Sequence, residues 1–305
     1  MSQFFYRLYD LTLASERQLA LLPPTDAADA DVTISFAPLA PRADLPVVTE
    51  GKLAIYGDGE ARLTSDTGLV AAMSLGRLIV VDSPADHSTA GLHAALLGPA
   101  LGWILHQRGL VPLHGCGIEI GGRLVALVGH SGMGKSTLGR ALIARGGRLL
   151  GDDQLVVDPA SRLVAPGVNA LRLWGDAALH SGDRIAESAR IVPGHDKFQV
   201  MLETPGPLAP VPLALVVAIG RDPTRDQPRF LTLDRVQGAA MLHTHVYQRQ
   251  AASAAGRTAA LFAWSTRLAA RTPVVALDRP DRLEQLPELC EAIERRVAAA
   301  ADLAA

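Results

Sequence analysis

The chain is poor in lysine. Lys52, Lys135 and Lys197 are the only lysines among its 29 basic residues; arginine supplies the rest. A lysine here is not casual surface filler. Cysteine is scarce as well: Cys116 and Cys290 stand alone, too few for a disulfide framework, so a reducing cytoplasm is the expected location. Neither sign of charge dominates. The 29 basic and 31 acidic side chains leave a net charge of −2, which excludes the strong positive field of a nucleic-acid or anionic-membrane binder. No secretory signal reads from the first residues, because Arg7 and Asp10 interrupt the apolar core it would need. No internal repeat is apparent. With 49% hydrophobic and 20% charged residues over 305 positions, the chain is a folded protein of about two domains, at ~100–200 residues each.

Residues 1–86 read as a β-rich N-terminal module. FFYRLYDLTLAS, ADVTISFAP, GKLAIYGDGEARLTS and GLVAAMSLGRLIVVDSP alternate in part and are parted by turn residues, Asp58–Gly59 among them. Residues 87–109 follow as a connecting segment. Its core, STAGLHAALLGPALGWILHQ, carries no charge, and its length just reaches a membrane span. Gly91, His93, Gly98, Pro99, Gly102 and His106 instead favour a buried helix, so no membrane span is expected. From residue 110 to 305 the pattern is α/β. Strands are expected in LVPLHGCGIEIGGRLVALVG around Gly121–Gly122, in RLLGDDQLVVD, in RLVAPGVNALRLWGD, in VPLALVVAIGRD and in TPVVALDRP. Helices are expected in SGMGKSTLGRALIARGG, across residues 237–271 and in DRLEQLPELCEAIERRVAAA. The tail after it reads as frayed helix.

Gly129, His130, Ser131, Gly132, Met133, Gly134, Lys135 and Ser136 satisfy the pattern G-x-x-x-x-G-K-[ST] of a P-loop (Walker A), with Thr137 next. Glycines let successive N–H groups turn toward a phosphate chain, and the following helix aims its positive end at the same anion. The lysine supplies a point charge, and the serine hydroxyl a ligand for Mg²⁺. From the chain's own composition, a chance match has a probability of roughly 0.002–0.003. ATP with Mg²⁺ is the expected ligand.

Asp152–Asp153 follow after one helix and one short strand. A carboxylate there can support Mg²⁺ or take a proton from an attacking hydroxyl. Neighbouring strand residues face opposite ways, so one of the pair should face the nucleotide more directly unless the strand has already turned. If the strands around Gly121–Gly122 pair as a hairpin, His114 returns beside the P-loop, where a histidine can orient a carboxylate or share its proton.

Together, LHGCGIEIGGRLVALVGHSGMGKSTLGRALIARGGRLLGDDQLVV resembles the HPr kinase/phosphorylase family: a histidine before a β-hairpin, a P-loop, and an Asp–Asp pair directly after the P-loop helix. The resemblance implies a P-loop kinase domain of the HPr kinase C-terminal type behind the β-rich module. It implies an ATP-dependent serine kinase in which Asp152 is the base toward a serine hydroxyl, assisted by His114, with Lys135 and Ser136 as phosphate and Mg²⁺ groups and Asp153 supporting the metal. The family's Glu-bearing signature has no counterpart: the stretch 168–175 carries no carboxylate before Asp176. YRLYDLTLASERQLALLPP, DVTIS, the uncharged segment and LRLW are similar to the HPr kinase-like enzymes of lasso peptide gene clusters. That similarity implies a peptide substrate phosphorylated on its C-terminal serine. Alternatives are a kinase of an HPr-like phosphocarrier protein and a nucleotide-sensing module with no phosphoacceptor. A homo-oligomer stays open.

Lys197 and Arg172 follow the Asp pair and are candidate phosphate or substrate contacts, each weighed against a plain surface or structural role. His243 and His245, two apart, share no helix face and read as packing or surface residues rather than metal ligands. Cys116, Trp174 and Trp264 read as core.

Overall fold

The computed structural model describes residues 3–27, 29–83, 89–183, 186, 189–192, 194–280 and 282–302. Residues 4–82 form an eight-stranded mixed sheet from β1 (Phe4–Leu8), β2 (Leu11–Ser15), β3 (Val32–Phe36), β4 (Val48–Glu50), β5 (Leu53–Ile55), β6 (Ala61–Thr64), β7 (Val70–Ser74) and β8 (Leu78–Asp82). The order is β1-β2-β3-β8-β7-β6-β5-β4. Its hairpins follow the turn chemistry. Between β5 and β6, Gly59 takes a φ of 85°, and the Asp58 carboxylate accepts the Glu60 N–H at 3.0 Å. Between β1 and β2, Tyr9 and Asp10 are both left-handed, with φ of 53° and 61°. That turn reaches the rest of the chain: the Tyr9 N–H donates to the Pro166 carbonyl at 2.9 Å.

The uncharged segment is not one helix. Helices α1 (Thr89–Ala95) and α2 (Leu101–Gln107) are separated by the widened turn Leu96–Ala100. There Gly98 leaves helical geometry (φ −95°, ψ −108°) and Pro99 brings no N–H. The segment is buried almost throughout. Among the described residues no helix is long and apolar enough to cross a membrane. Residues 87 and 88, and the tail at 303–305, fall outside the described residues.

The remainder is built on a second mixed sheet. Its chain-order strands are β9 (Pro112–Leu113), β10 (Gly115–Ile120), β11 (Arg123–Val128), β12 (Arg148–Asp152), β13 (Leu155–Val156), β14 (Leu163–Val164), β15 (Ala170–Trp174), β16 (Lys197–Met201), β17 (Val211–Arg221), β18 (Arg229–Thr232) and β19 (Val274–Arg279). The central order is β12-β10-β11-β17-β19-β18, with ribbons β9–β13 and β15–β16 set apart. The helices are α3 (Lys135–Ala144), α4 (Gly175–His180), α5 (Arg235–Thr244), α6 (Arg249–Ala252), α7 (Thr258–Ala269) and α8 (Leu286–Asp302).

Strands β11 and β17 are apolar at nearly every position because both faces are covered. Leu124, Ala126, Val128, Val216 and Ala218 join a core shared with the first sheet, α2, α5 and α7. Val125, Leu127, Leu215, Val217 and Ile219 join a second core under α3 and α8. Burying each such Leu, Val or Ile contributes about 1.5–3 kcal/mol. The first core runs unbroken from Leu13 and Ile34 to Trp264 and Leu268, so the β-rich module is packed onto the second sheet rather than tethered to it.

Two expected elements are corrected. RLLGDDQLVVD is not one strand: β12 stops at Asp152, Asp153 is left-handed with φ 78°, and β13 pairs with β9 instead. Residues 237–271 are not one helix. They break at Gln248, with φ 48°, and at Gly256, with φ 83°, giving α5, α6 and α7.

Candidate active site

The hairpin reading places His114 correctly. Gly115 pairs with Val128 at the far end of the β10–β11 register, so His114 sits where β11 runs into loop 129–134. Parallel pairing of β11 with β17, and of β17 with β19, puts the carboxyl ends of these strands at the same edge, the usual ligand-binding edge of such a sheet.

In the loop, Gly129, Gly132 and Gly134 take φ of 151°, 83° and 92°. A side chain at Gly134 would also collide with Arg279 Nη2. The Lys135 ammonium donates to the carbonyls of Gly129 at 2.7 Å and His130 at 3.2 Å. It is 8% exposed, and this burial lowers its pKa against the pull of Asp152 and Asp153. The loop is braced from outside by two arginines that sequence reasoning did not single out. Arg221 Nη2 donates to the Gly132 carbonyl at 3.0 Å, and Arg279 Nη2 to that of Met133 at 3.1 Å. They are register partners at the ends of β17 and β19. The available signal was an arginine closing each of two buried runs, VVAIGR and VVALDR.

Asp152 and Asp153 both line the cleft in front of the loop. The left-handed turn at Asp153 is the reason: it cancels the alternation a strand would impose. Their surroundings differ. Asp152 accepts from the Ser136 hydroxyl at 3.1 Å on either oxygen and from the Arg172 backbone N–H at 2.9 Å. Burial pushes its carboxyl above the usual range. Asp153 Oδ2 accepts from Arg172 Nη1 at 2.8 Å. Burial alone would raise this carboxyl too, but Arg172, then His114, Lys197 and Lys135, outweigh it and hold it below the usual range.

His114 pairs with Asp153, not with Asp152 as expected. Its Nδ1 lies 3.0 Å from the Asp153 carbonyl oxygen and 3.5 Å from Oδ1; the turn after β12 brings the second carboxylate to the histidine. The His114 N–H donates to the His245 carbonyl at 2.7 Å. With Nδ1 donating to Asp153, Nε2 carries the lone pair of the neutral ring. Burial lowers the His114 pKa against the pull of the Asp153 carboxylate.

Arg172 donates to Asp153 and to the Ala94 carbonyl, 3.3 Å from Nη2, and lines the cleft. Lys197 begins β16 opposite Trp174 in the register. Its ammonium stands 5.8 Å from the indole centroid, and both line the cleft. Trp174 is therefore not core: it is 45% exposed. Trp264 is core, its N–H donating to the Val157 carbonyl. Cys116 is buried beside Asp152. His245 is buried, and its ring stands edge-on to that of His130 at 5.4 Å. Asp176, the first carboxylate after the 168–175 stretch, also lines the cleft.

The cleft measures about 590 Å³, within the ~300–1,000 Å³ of small-ligand sites. A hydroxyl and a carboxylate side by side, Ser136 and Asp152, are hard oxygen donors of the kind Mg²⁺ takes together with phosphate oxygens. Among the described residues no three His, Cys, Asp or Glu side chains are grouped to hold a metal unaided.

No protein-family model matches the chain, and no curated protein does. Among solved structures it is similar to the Hpr(Ser) kinase/phosphatase from Coxiella burnetii. That match has 15% identity and a TM-score of 0.29, and it covers 62% of this chain and 94% of that one.

Proposed function

We propose that the protein is an ATP-dependent kinase that transfers the γ-phosphoryl group to a serine or threonine hydroxyl of a peptide. The observation that carries this reading is the convergence of Lys135, Ser136, Asp152, Asp153 and His114 on one cleft. Loop 129–134 and Lys135 would cradle the phosphates. Ser136 and Asp152 would hold Mg²⁺, which when bound neutralises phosphate charge.

The pairing of His114 with Asp153 moves the acceptor side of the reaction onto Asp153, one residue beyond the position the resemblance implied. Asp152 is drawn to the metal side by Ser136, which donates to both of its oxygens, whereas Asp153 Oδ1 has only the longer contact, 3.5 Å, with His114 and is the freer oxygen. Asp152 is the better base by pKa. Geometry ranks first, however, and a loose phosphoryl-transfer transition state asks little of a base. The acceptor oxygen bonds to the γ-phosphorus as the bond to the β–γ bridging oxygen breaks. The hydroxyl proton goes to the Asp153 carboxylate, and ADP leaves with the electron pair.

Lys197 has no carboxylate partner among the described residues, and its charge acts on Asp153. A free carboxylate next to the acceptor would fit it, which supports a C-terminal serine, as in the lasso-cluster enzymes. The test is mass spectrometry of a peptide ending in free-acid serine and of its C-terminal amide, each with Mg-ATP. The amide should react at least ~10-fold more slowly, ~1.4 kcal/mol for a lost charge-assisted contact. Equal rates remove the carboxylate contact. Phosphate transfer to an HPr-like protein with neither peptide touched assigns the enzyme to a phosphocarrier. Mg-ATP binding with no acceptor at all leaves a nucleotide sensor.

A further inference from the structure

A second cavity of about 460 Å³ adjoins the first and shares His114 and Ser131 with it. One wall is the edge of the first sheet, with Glu50, Lys52, Leu53 and Leu63. The other is the turn from α5 into α6, with Thr244, Val246 and Gln248. We propose that this cavity holds the residues of the acceptor peptide that precede its hydroxyl-bearing residue. The proposal rests on the kinase reading above and gives the β-rich module a part in choosing the substrate.

Several observations converge on that occupant. The shared wall is His114, the partner of Asp153, so a chain lying in the second cavity ends at the carboxylate assigned to the acceptor hydroxyl. Ser131, from the first half of the loop, lines both cavities, and His130 stands beside it in the second. Gln248 is held in a left-handed conformation, φ 48°, and such strain in a residue other than glycine gathers at functional sites. Its amide nitrogen donates to the Pro99 carbonyl at 2.9 Å, while its Oε1 has no hydrogen-bond partner among the described residues. A buried acceptor that the chain itself leaves without a donor marks this turn as imperfectly packed, at the wall of the cavity.

The remaining lining is mixed, as a peptide site requires. Leu53, Leu63 and Val246 are buried and apolar. The Glu50 carboxylate is occupied by the Ala251 N–H at 2.6 Å, and Lys52 is ion-paired with Asp66 at the exposed rim. The uncharged segment contributes Pro99 from its broken turn.

The experiment compares two acceptors. N-acetylserine reaches only the cleft, whereas a pool of pentapeptides ending in free-acid serine, randomised before it, also fills the second cavity. In the unaltered protein the best pentapeptides should show a KM at least about tenfold below that of N-acetylserine. Thr244→Trp fills the cavity from an exposed position, and Lys52→Glu reverses the charge at its rim. Either should raise the pentapeptide KM toward that of N-acetylserine, with Mg-ATP affinity and the N-acetylserine rate unchanged. Pentapeptide KM values left intact in both variants would overturn the proposal and leave the kinase reading standing. So would an equal loss for both acceptors, which would place the damage at the catalytic centre. Mg-ATP binding with neither acceptor phosphorylated would overturn the kinase reading and the proposal with it.

Discussion

The loop side of the cleft takes its groups from one continuous run, residues 129–136, whereas the facing side gathers Ala94, His114, Asp153 and Arg172 from remote parts of the chain. Tyr9 is buried behind that wall, and Tyr247 lines the second cavity beside it. Tyr9 donates through its hydroxyl to the Gln154 carbonyl at 3.4 Å. Gln154 in turn donates to the Gly98 carbonyl at 2.6 Å. The loop side thus takes its shape from local backbone geometry, with Arg221 and Arg279 as outside braces, while the facing side exists only when the first sheet, the broken helix and the second sheet are packed together. A local site fails by losing one contact; an assembled one fails by losing its supports.

Substitutions at the neighbouring carboxylates should separate the two sides most sharply. Asp153→Asn leaves the half-buried Arg172 guanidinium without its carboxylate, so we predict a loss of about 1.5–3 kcal/mol of stability in urea unfolding. A loss under about 1 kcal/mol would mean that Arg172 finds another partner. Lys135→Ala acts on the loop alone. It should weaken Mg-ATP binding by about 1.5–3 kcal/mol in calorimetry with the circular dichroism spectrum unchanged, and equal affinity would remove the cradle assignment.

Asp152→Asn should have the opposite sign from its neighbour. A carboxyl whose pKa is raised in the fold contributes stability below its unfolded value of 3.8 and loses it as pH rises through the folded value. At pH 7 the buried charge is a cost, and the asparagine should raise the melting temperature by about 2–4 °C while phosphotransfer falls. A lower melting temperature would show that the Ser136 and Arg172 hydrogen bonds matter more than the buried charge.

The pH profile sharpens the same contrast. Asp152, its carboxyl raised by burial, should set the acid limb through Mg²⁺ binding, above the ordinary carboxylate range near 3.8. With Asp153 as the base, saturating Mg²⁺ should push that limb down, because the depressed Asp153 stays ionised, and a limb that does not respond to Mg²⁺ would return the base role to Asp152. The smallest effect belongs to Gly98→Ala. The added methyl would meet Arg172 Nη2 at 3.0 Å, a flexible side-chain end that can yield. A stability change within about 1 kcal/mol and a reduced rate are expected, with Mg-ATP affinity unaltered.

This contrast also explains what could be read without a structure. Loop 129–136 is a spacing rule, and the buried run of β17 is a composition rule; both are contiguous and both were legible. His114 was found because a hairpin with a Gly–Gly turn returns it to its starting edge. The partner of His114 was not, because the left-handed turn at Asp153 overrides the alternation a strand reading assumes. The break at Gly98–Pro99 was visible as residues but not as a source of carbonyls for Gln154 and Gln248. Trp174 was misread because its indole packs beside the cleft under Lys197 rather than in the core. Arg221 and Arg279 need the parallel register of β17 with β19 before they meet the loop.

That register has a consequence for how the molecule is made. Met133 emerges from the ribosome long before the arginine that braces its carbonyl, and β11 must wait for β17 before it has a parallel neighbour. Such distant pairings carry a large loop-closure cost and form slowly. A nascent chain halted before residue 279 should therefore expose the apolar edge of β17 and an unbraced loop, a form suited to chaperone capture rather than to binding nucleotide.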